Sequence, residues 1–495
     1  MHFLNKTIPK LPQVCLSLFC GVMAVLTVIA SINYPGQAHI YLLFTVISNV
    51  LLYVGFRKKA LFFDAFIGVF FWLGFWLKVT LRVGFTNGVF RESTGVFDGS
   101  GAEFDRGLLV ASCGLLALIV ATLIRERFFC YQRIQSHEVT QPGLFNFYQK
   151  NRKLVLTAFV LLLLAVGISN VYFGIYQRGE VPHTILPYGL GGIYKWLLLF
   201  GLSSFAAVIL KFEYHSGKSN SYLVAILSLL ENFISNVSLL SRGMILNSAA
   251  LFYGLFKDWK SNSIILRGRF LITISLIFVL FFAGSVFAVN YLRSNAAALG
   301  FIRGYSTEID AELFRHEEDL AAVQGMTTPL FIDRWVGIEG VLAVSSSNKV
   351  GWDLWRQAWS EVYSDHSTSF YDLNLVKSPY LTMDTTKNHY ISLPGIVAFL
   401  FYPGSFLFLF GGMFLIGLIG AGIEFITYKL GGRNLILCSL LGQVVAFRFA
   451  SFGYAPNQTY LLFGSLFLNL IIIYAADKIL SLRGRRPDVP ARQRH

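Results

Sequence analysis

The chain has 495 residues, of which 55% are hydrophobic and 14% are charged, and its mean hydropathy is +0.59. A soluble protein of this length could not bury so much apolar surface, so the composition excludes ordinary soluble domains and predicts a polytopic membrane protein. The 41 Lys and Arg exceed the 27 Asp and Glu by 14 charges, which in a membrane protein is a topology signal rather than a sign of nucleic-acid binding.

Apolar runs recur along the whole chain. A transmembrane helix needs about 20 apolar residues, and twelve segments approach that length. These segments are 13–33, 40–56, 61–81, 107–124, 154–176, 191–210, 222–241, 244–257, 270–292, 405–428, 434–452 and 460–480. The sequence therefore predicts an all-α polytopic membrane protein with about twelve transmembrane helices. The seventh and eighth spans are separated by Ser241-Arg242-Gly243, which predicts a tight turn, with one long broken helix as the alternative.

Basic residues indicate the orientation of these spans. If both termini lie in the cytoplasm, the inside segments hold 25 of the 41 Lys and Arg, including the tail at 481–495. Cytoplasmic loops are enriched in Lys and Arg. We therefore expect both termini to be cytoplasmic and the long segment after the ninth span to lie outside.

The predicted organisation has four parts: nine spans in 1–292, an outer loop at 293–404, three spans in 405–480 and the basic tail. Residues 293–390 of the loop hold 13 acids against 8 Lys and Arg. A loop of this length is usually functional. Its pattern predicts short helices over 307–322, 331–344 and 350–363, which together form a lid on the bundle.

Polar residues inside spans are costly, so they usually face a cavity or a partner. Glu231, Ser235, Ser238 and Arg242 recur at steps of four, three and four, which places them on one helical face. Interhelical hydrogen bonding is one interpretation of the Ser residues. For Arg242, at the outer end of this face, we favour ligand binding.

The predicted topology places further cations in the outer half of the bundle, where Lys and Arg are usually scarce because they are enriched on the cytoplasmic side. Arg448 lies near the outer end of the eleventh span, and snorkelling to the interface is its alternative role. Arginine suits phosphate because its planar fork donates two parallel bonds. We therefore predict a site for a lipid-linked diphosphate, with sulfate or anionic headgroups as alternatives. The predicted binding residues are Lys78, Arg82, Arg242, Arg293, Arg303, Arg334 and Arg448.

Candidates for a general base lie in the outer loop. His389 lies where the loop returns to the membrane, and Glu339 is the alternative carboxylate. His316 and His366 have the surroundings of solvated surface residues. The chain lacks a Gly-rich phosphate loop, an ATPase motif and a His-Glu-x-x-His helix, so we predict neither a metal nor a cofactor.

About twelve spans, a large outer loop in the second half and Ser241-Arg242-Gly243 at the start of a span together resemble the O-antigen polymerases, the Wzy-type polysaccharide repeat-unit polymerases. Arg293 and Gly304 have an Arg-x10-Gly spacing similar to one in that family. Asn388-His389 looks like the His-Asn pair of the related O-antigen ligases in reversed order.

The resemblance implies a GT-C-like membrane glycosyltransferase in the bacterial inner membrane that acts on the periplasmic face without a metal. It implies undecaprenyl-diphosphate-linked glycans as substrates, and a chain-length regulator as a candidate partner beside the lipid bilayer. An O-antigen ligase and a lipid-linked oligosaccharide flippase or other transporter remain the alternatives. A transporter of this size is expected to have two related halves, and this chain has a single large one-sided loop.

Overall fold

The computed structural model describes residues 11–129, 131, 141–216, 221–241, 243–261, 268–294, 333–362, 364, 367–378, 381 and 391–484. Within these ranges the chain is helical and has no strand. The α-helices are α1 (Leu11–Asn33), α2 (Ala38–Gly55), α3 (Phe62–Phe71), α4 (Lys78–Thr86), α5 (Gly101–Arg125), α6 (Pro142–Lys150), α7 (Arg152–Phe173), α8 (Leu190–Trp196), α9 (Leu202–His215), α10 (Ser221–Ser238), α11 (Met244–Ser261), α12 (Gly268–Ser294), α13 (Ile338–Ser345), α14 (Trp352–Trp359), α15 (Ile396–Leu400), α16 (Phe406–Leu430), α17 (Leu435–Ala450) and α18 (Thr459–Gly484). The π-helical stretches are Trp72–Leu77, Leu197–Gly201 and Asp372–Val376, and Pro187–Gly189 and Pro456–Gln458 are 3₁₀ turns.

Nine helical segments in the described part of the chain are long and apolar enough to cross a membrane. They include α1, α2, α5, α7, α12, α16 and α18, and two composite helices, Phe62–Thr86 and Pro187–His215, each with a π-helical stretch inside. α10 and α17 are shorter apolar helices. Each predicted span coincides with a helix, so the prediction of an all-helical polytopic membrane protein is confirmed. The count of twelve spans stays a prediction.

Small residues let the central helices approach closely. α5 packs against both α2 and α16, and a Cβ on Gly417 of α16 would lie 2.7 Å from Ala121 Cβ of α5. α17 packs against both α3 and α11, and a Cβ on Gly254 of α11 would lie 2.6 Å from Ile436 Cα. Such contacts are the usual basis of helix association in membranes, where burial of apolar surface supplies no drive.

The helix ends define two faces of the bundle. We call the face that carries Asn33, Thr86, Phe173, Ser238 and Ala450 the loop face. The opposite face, where α5 ends at Arg125, we call the basic face.

The basic face is held by buried ion pairs and helix caps. Arg125 pairs with Asp64 near the start of α3. The Glu424 carboxylate of α16 accepts the backbone N–H groups of Phe62 at 2.9 Å and Phe63 at 2.7 Å. It thereby neutralises the positive end of the α3 dipole and satisfies donors that the helix leaves unpaired.

On the loop face, two short helices enter the bundle. All residues of α13 and α15 are buried. Gly337, which precedes α13, lies against Gly74, because a Cβ on Gly337 would be 2.4 Å from the Gly74 carbonyl oxygen. Gly74 is at the middle of the Phe62–Thr86 helix, roughly 18 Å along its axis from Thr86. The start of α13 therefore reaches the middle of a membrane-spanning helix.

α15 enters the bundle to a similar depth. A Cβ on Gly114, near the middle of α5, would lie 3.2 Å from Val397 Cγ1. Irregular backbone at this depth is tolerated where protein buries it. The sequence predicts that this segment forms a lid on the bundle. The structure shows that two of its helices, α13 and α15, insert into the bundle. Helices α13 and α14 are shorter than the two predicted over 331–344 and 350–363, and the helix predicted over 307–322 lies outside the described residues.

Candidate functional site

The Ser241-Arg242-Gly243 motif lies between α10 and α11 on the loop face. α10 ends at Ser238, and Leu240 adopts a left-handed conformation with φ of +50°. The Ser241 N–H donates to the Asn236 carbonyl oxygen at 2.8 Å, and the Gly243 N–H donates to Ser241 Oγ at 3.2 Å. The two helices with a tight turn that the sequence predicts are therefore observed.

The guanidinium of Arg334 lies beside this turn. A Cβ built on Gly243 would be 3.7 Å from Arg334 Nη2 and 3.1 Å from Ser241 Oγ. Two predicted elements that are distant in the chain, the Ser-Arg-Gly motif and Arg334, thus meet at one place on the loop face.

Two cations of α4 hold the residues on either side of Arg334. Lys78 Nζ donates to the Trp335 carbonyl oxygen at 2.5 Å, and Arg82 pairs with the Asp333 carboxylate. The Lys78 side chain is 0% exposed, and its Nζ also donates to the Asp333 carbonyl oxygen at 3.3 Å. The geometry therefore gives Lys78 and Arg82 a positioning role for the segment around Arg334, while their predicted contact with a diphosphate stays a prediction.

Glu339 of α13 is the carboxylate partner of Lys78, with Oε1 at 2.8 Å from Nζ. Burial raises the pKa of Glu339, and the charge of Lys78 and its hydrogen bond act in the opposite direction. This pair anchors α13 against α4. The predicted roles of Glu339 and His389 as bases stay predictions.

Arg448 is the second guanidinium of the site, two residues before α17 ends at Ala450. Its Nη2 contacts Thr459 Oγ1 at 3.4 Å. Its Nε is buried and has no hydrogen-bond partner among the described residues. A buried charged donor without a partner is costly, so this guanidinium has the capacity to bind an anion.

An aromatic group connects Arg448 with Arg334. The Phe70 ring lies 5.9 Å from the Trp335 ring and 5.6 Å from the Phe447 ring, measured between centroids. Trp335 follows Arg334 and Phe447 precedes Arg448. The residues next to the two arginines therefore contact the same aromatic ring.

Polar residues of α7 and α8 continue the site. Asn170 Nδ2 donates to Ser238 Oγ at 2.9 Å and to the Tyr176 carbonyl oxygen at 3.0 Å. Lys195 Nζ lies 4.8 Å from the centroid of the Tyr176 ring. Lys195 therefore adds one cation near the loop-face end of α7.

The polar stripe of α10 makes hydrogen bonds between helices, as one interpretation of its Ser residues predicts. Ser203 of α9 and Ser235 each donate to the Glu231 carboxylate at 2.9 Å. Ser238 bonds to α7 through Asn170.

Several predicted site residues fall outside the described part of the chain. They are Arg242, Arg303 and His389, together with the side chain of Arg293. Their predicted roles stay predictions. Among the described residues there is no group of three or more His, Cys, Asp or Glu placed to hold a metal ion.

The sequence analysis did not find Asn170, Tyr176, Asp333 or Thr459 as members of the site. One signal was available for Asn170, which is a buried amide inside the long apolar run of α7. The other three are ordinary loop or helix-start residues, and their importance depends on tertiary contacts that no local pattern encodes.

The fold and its buried polar groups define an all-helical polytopic membrane protein with a cation-rich site on the loop face. Comparison with protein-family models, with curated proteins and with solved structures finds no match to this chain.

Proposed function

We propose that this protein is a glycosyltransferase of the bacterial inner membrane that polymerises undecaprenyl-diphosphate-linked oligosaccharide repeat units into O-antigen or a similar surface polysaccharide. In this proposal the loop face is periplasmic, both termini are cytoplasmic and twelve helices cross the membrane in a GT-C-like architecture. The proposal joins the family resemblance of the sequence to the chemistry of the loop-face site.

The observation that carries the proposal is the state of Arg448. Arg448 has a buried, unpartnered Nε and, among the described residues, only Thr459 as a hydrogen-bond partner, so the charge-assisted bonds of an oxyanion would offset the cost of its burial. Arg334, beside the Ser241-Arg242-Gly243 turn, supplies a second guanidinium, and the residues next to Arg334 and Arg448 both contact the Phe70 ring. Two planar guanidinium groups can each donate paired hydrogen bonds to the oxygens of a diphosphate.

The reaction follows from these roles. A hydroxyl of the acceptor repeat unit attacks the anomeric carbon of the donor glycan, a new glycosidic C–O bond forms, and the C–O bond to undecaprenyl diphosphate breaks. The electron pair of that bond leaves on the diphosphate, where the arginines stabilise the developing charge. A base, for which we favour His389, accepts the hydroxyl proton and typically contributes about 10²–10⁴-fold.

The segment around Arg334 needs to be fixed for this task. Catalysis by charge stabilisation depends on donors that are already oriented when the charge develops. Lys78 and Arg82 bind the residues on both sides of Arg334, so they serve the reaction as positioning residues.

Analysis of glycans in a deletion strain tests the proposal against its two alternatives. Loss of a polymerase should leave a single repeat unit attached to the lipid A core. Loss of a ligase should leave the core without any repeat unit, and loss of a flippase should leave lipid-linked units on the cytoplasmic side. Either of the last two results would overturn the proposal. Complementation of the deletion strain with the intact gene should restore polymer. Complementation with the gene for Arg448→Ala should not.

A further inference from the structure

Helix α14 has an edge of exposed tryptophans and a different side that is charged. Trp352 and Trp359 are seven residues apart, which places them on one side of the helix, and they are 51% and 43% exposed. Asp353, about 100° around the helix from Trp352, is 90% exposed. Leu354 and Ala358 are buried and pack the third side against the protein. The two exposed sides therefore suit two different surroundings, one apolar and one aqueous.

α14 lies level with the first turns of two membrane-spanning helices. The Phe408 ring, in the first turn of α16, lies 5.1 Å from the Trp352 ring and 5.5 Å from the Trp355 ring, measured between centroids. α14 also packs against the Pro456–Gln458 turn, which directly precedes α18. α18 follows the loop-face end of α17, and α16 runs parallel to α5, so both spans begin at the loop face. α14 therefore lies at the membrane boundary on that side.

The first turns of these two spans carry exposed apolar side chains. Leu407, next to Phe408, is 83% exposed, and Tyr460 and Leu461 at the start of α18 are 65% and 58% exposed. At the end of a membrane-spanning helix such side chains face lipid, and tryptophan is enriched at this depth because its ring is amphipathic. The tryptophan edge of α14 thus continues a lipid-facing surface.

Both ends of α14 are attached to the inserted helix α15. The Gly351 N–H, just before α14, donates to the Tyr402 carbonyl oxygen, two residues after α15, at 2.8 Å. At the other end, the Trp359 ring lies 5.9 Å from the Phe399 ring of α15, measured between centroids. Because α15 is buried in the bundle, α14 cannot lift from the membrane boundary without breaking these contacts.

We propose that α14 is an interfacial helix, which lies along the membrane surface with Trp352 and Trp359 among the lipid headgroups and Asp353 in water. Its partner is the lipid surface of the bilayer, and the proposal does not depend on the reaction proposed above. Tryptophan on one side and charge on another are typical of helices that lie in the interface plane. In this position α14 holds the outer segment down on the membrane.

Site-directed spin labelling tests the depth of each side of α14. Trp359→Cys or Asp353→Cys is introduced into the full-length protein after replacement of its five native cysteines, and each labelled protein is reconstituted in nanodiscs of phosphatidylethanolamine and phosphatidylglycerol. Molecular oxygen concentrates in lipid and a neutral nickel chelate stays in water, so the ratio of their collision rates reports depth. Leu407→Cys supplies the lipid-facing reference.

We expect the oxygen-to-nickel ratio to be about tenfold higher at 359 than at 353, which corresponds to about 1.4 kcal/mol. Trp352→Cys and Gln357→Cys form a second pair on exposed positions of the same helix and should show the same difference. Equal ratios within both pairs would overturn the inference. Low ratios throughout would leave the tryptophans in water as a face for another protein, and high ratios throughout would place the whole helix in the hydrocarbon.

A conservative variant covers the case in which a cysteine disturbs the packing. Trp352→Phe combined with Trp359→Phe keeps aromatic rings against Phe408 and Phe399. In vesicles of lipids brominated near the glycerol group, the wild type should lose a larger fraction of its tryptophan fluorescence than this double variant, because bromine quenches tryptophan on contact. An equal quenched fraction would contradict the interfacial position.

Discussion

The Lys78 ammonium lies 2.8 Å from the Glu339 carboxylate, and neither side chain is more than 7% exposed. Lys78 belongs to the composite helix Phe62–Thr86 and Glu339 to α13, which enters the bundle from the loop face. Since Lys78 also binds the Trp335 carbonyl oxygen at 2.5 Å, this single cation fixes both the start of α13 and the backbone beside Arg334.

Removal of the cation should destabilise the protein in a pH-dependent manner. Loss of one partner of a buried ion pair typically costs about 3–5 kcal/mol, because it leaves an uncompensated charge. In Lys78→Met the pKa of Glu339, already raised by burial, should rise further, because the cation that opposes this shift is absent. An acid whose folded-state pKa is raised destabilises the fold as the pH rises through that pKa. The melting temperature of the variant should therefore increase when the pH falls from about 8 to about 5.

The control for this pH effect is the double variant Lys78→Met with Glu339→Gln. A neutral amide has no proton to gain, so its melting temperature should lose the pH dependence of the single variant. Equal pH dependence of the single and double variants would mean that Glu339 does not carry the effect.

Two glycines with different surroundings test the insertion of α13. In Gly337→Ala the new Cβ would be 2.4 Å from the Gly74 carbonyl oxygen, which belongs to the backbone of another helix and cannot move locally. We expect α13 to be displaced, with a lower melting temperature and faster proteolysis of the 333–362 segment. Gly351 has no atom within 4 Å of its ideal Cβ position, so Gly351→Ala should behave like the wild type. Equal stability of the two variants would contradict the close contact with Gly74.

The arginines should differ in effect according to their position. Arg448→Ala and Arg334→Ala should each reduce polymer synthesis by about 10²–10³-fold, as loss of one charge-stabilising donor does elsewhere. Arg→Lys should restore activity in part, because an ammonium lacks the planar fork. Arg356 is the control, since it is 75% exposed on α14, and its alanine variant should be silent. Normal polymer from both site variants at normal protein levels would reduce Arg334 and Arg448 to structural groups.

The orientation has its own test with two reporters. Alkaline phosphatase fused after Ser347 should be active, because we place the loop face in the periplasm, and a fluorescent protein fused after His495 should fluoresce in the cytoplasm. The reverse pattern would turn the site toward the cytoplasm and remove the basis for a periplasmic polymerase.

The membrane spans were predictable because apolar length and charge placement are local properties. Each predicted span coincides with a helix, and even the turn at Ser241-Arg242-Gly243 was visible as a short polar interruption. The π-helical stretches at Trp72–Leu77 and Leu197–Gly201 were not predictable, since one extra residue in a helical turn leaves the apolar pattern almost unchanged.

The roles of the cations were harder to predict than their presence. Sequence position brought Lys78, Arg334 and Arg448 to the same face, yet it could not show that a carboxylate pairs with Lys78. That pairing depends on the insertion of the segment that leads into α13, which carries Asp333 to Arg82 and Glu339 to Lys78. Nothing in the sequence of a lid with short helices specifies how deeply such a helix inserts.

Reconstitution tests the central claim most directly. The purified full-length protein in vesicles receives a synthetic undecaprenyl-diphosphate-linked repeat unit as its sole glycan, in buffer that contains EDTA, and the products are separated by length. We predict lipid-linked chains of two or more repeat units with release of undecaprenyl diphosphate, and none with Arg448→Ala. A product that remains a single repeat unit with the wild-type protein would contradict the assignment as a polymerase. Elongation that stops when EDTA is present would contradict its metal independence.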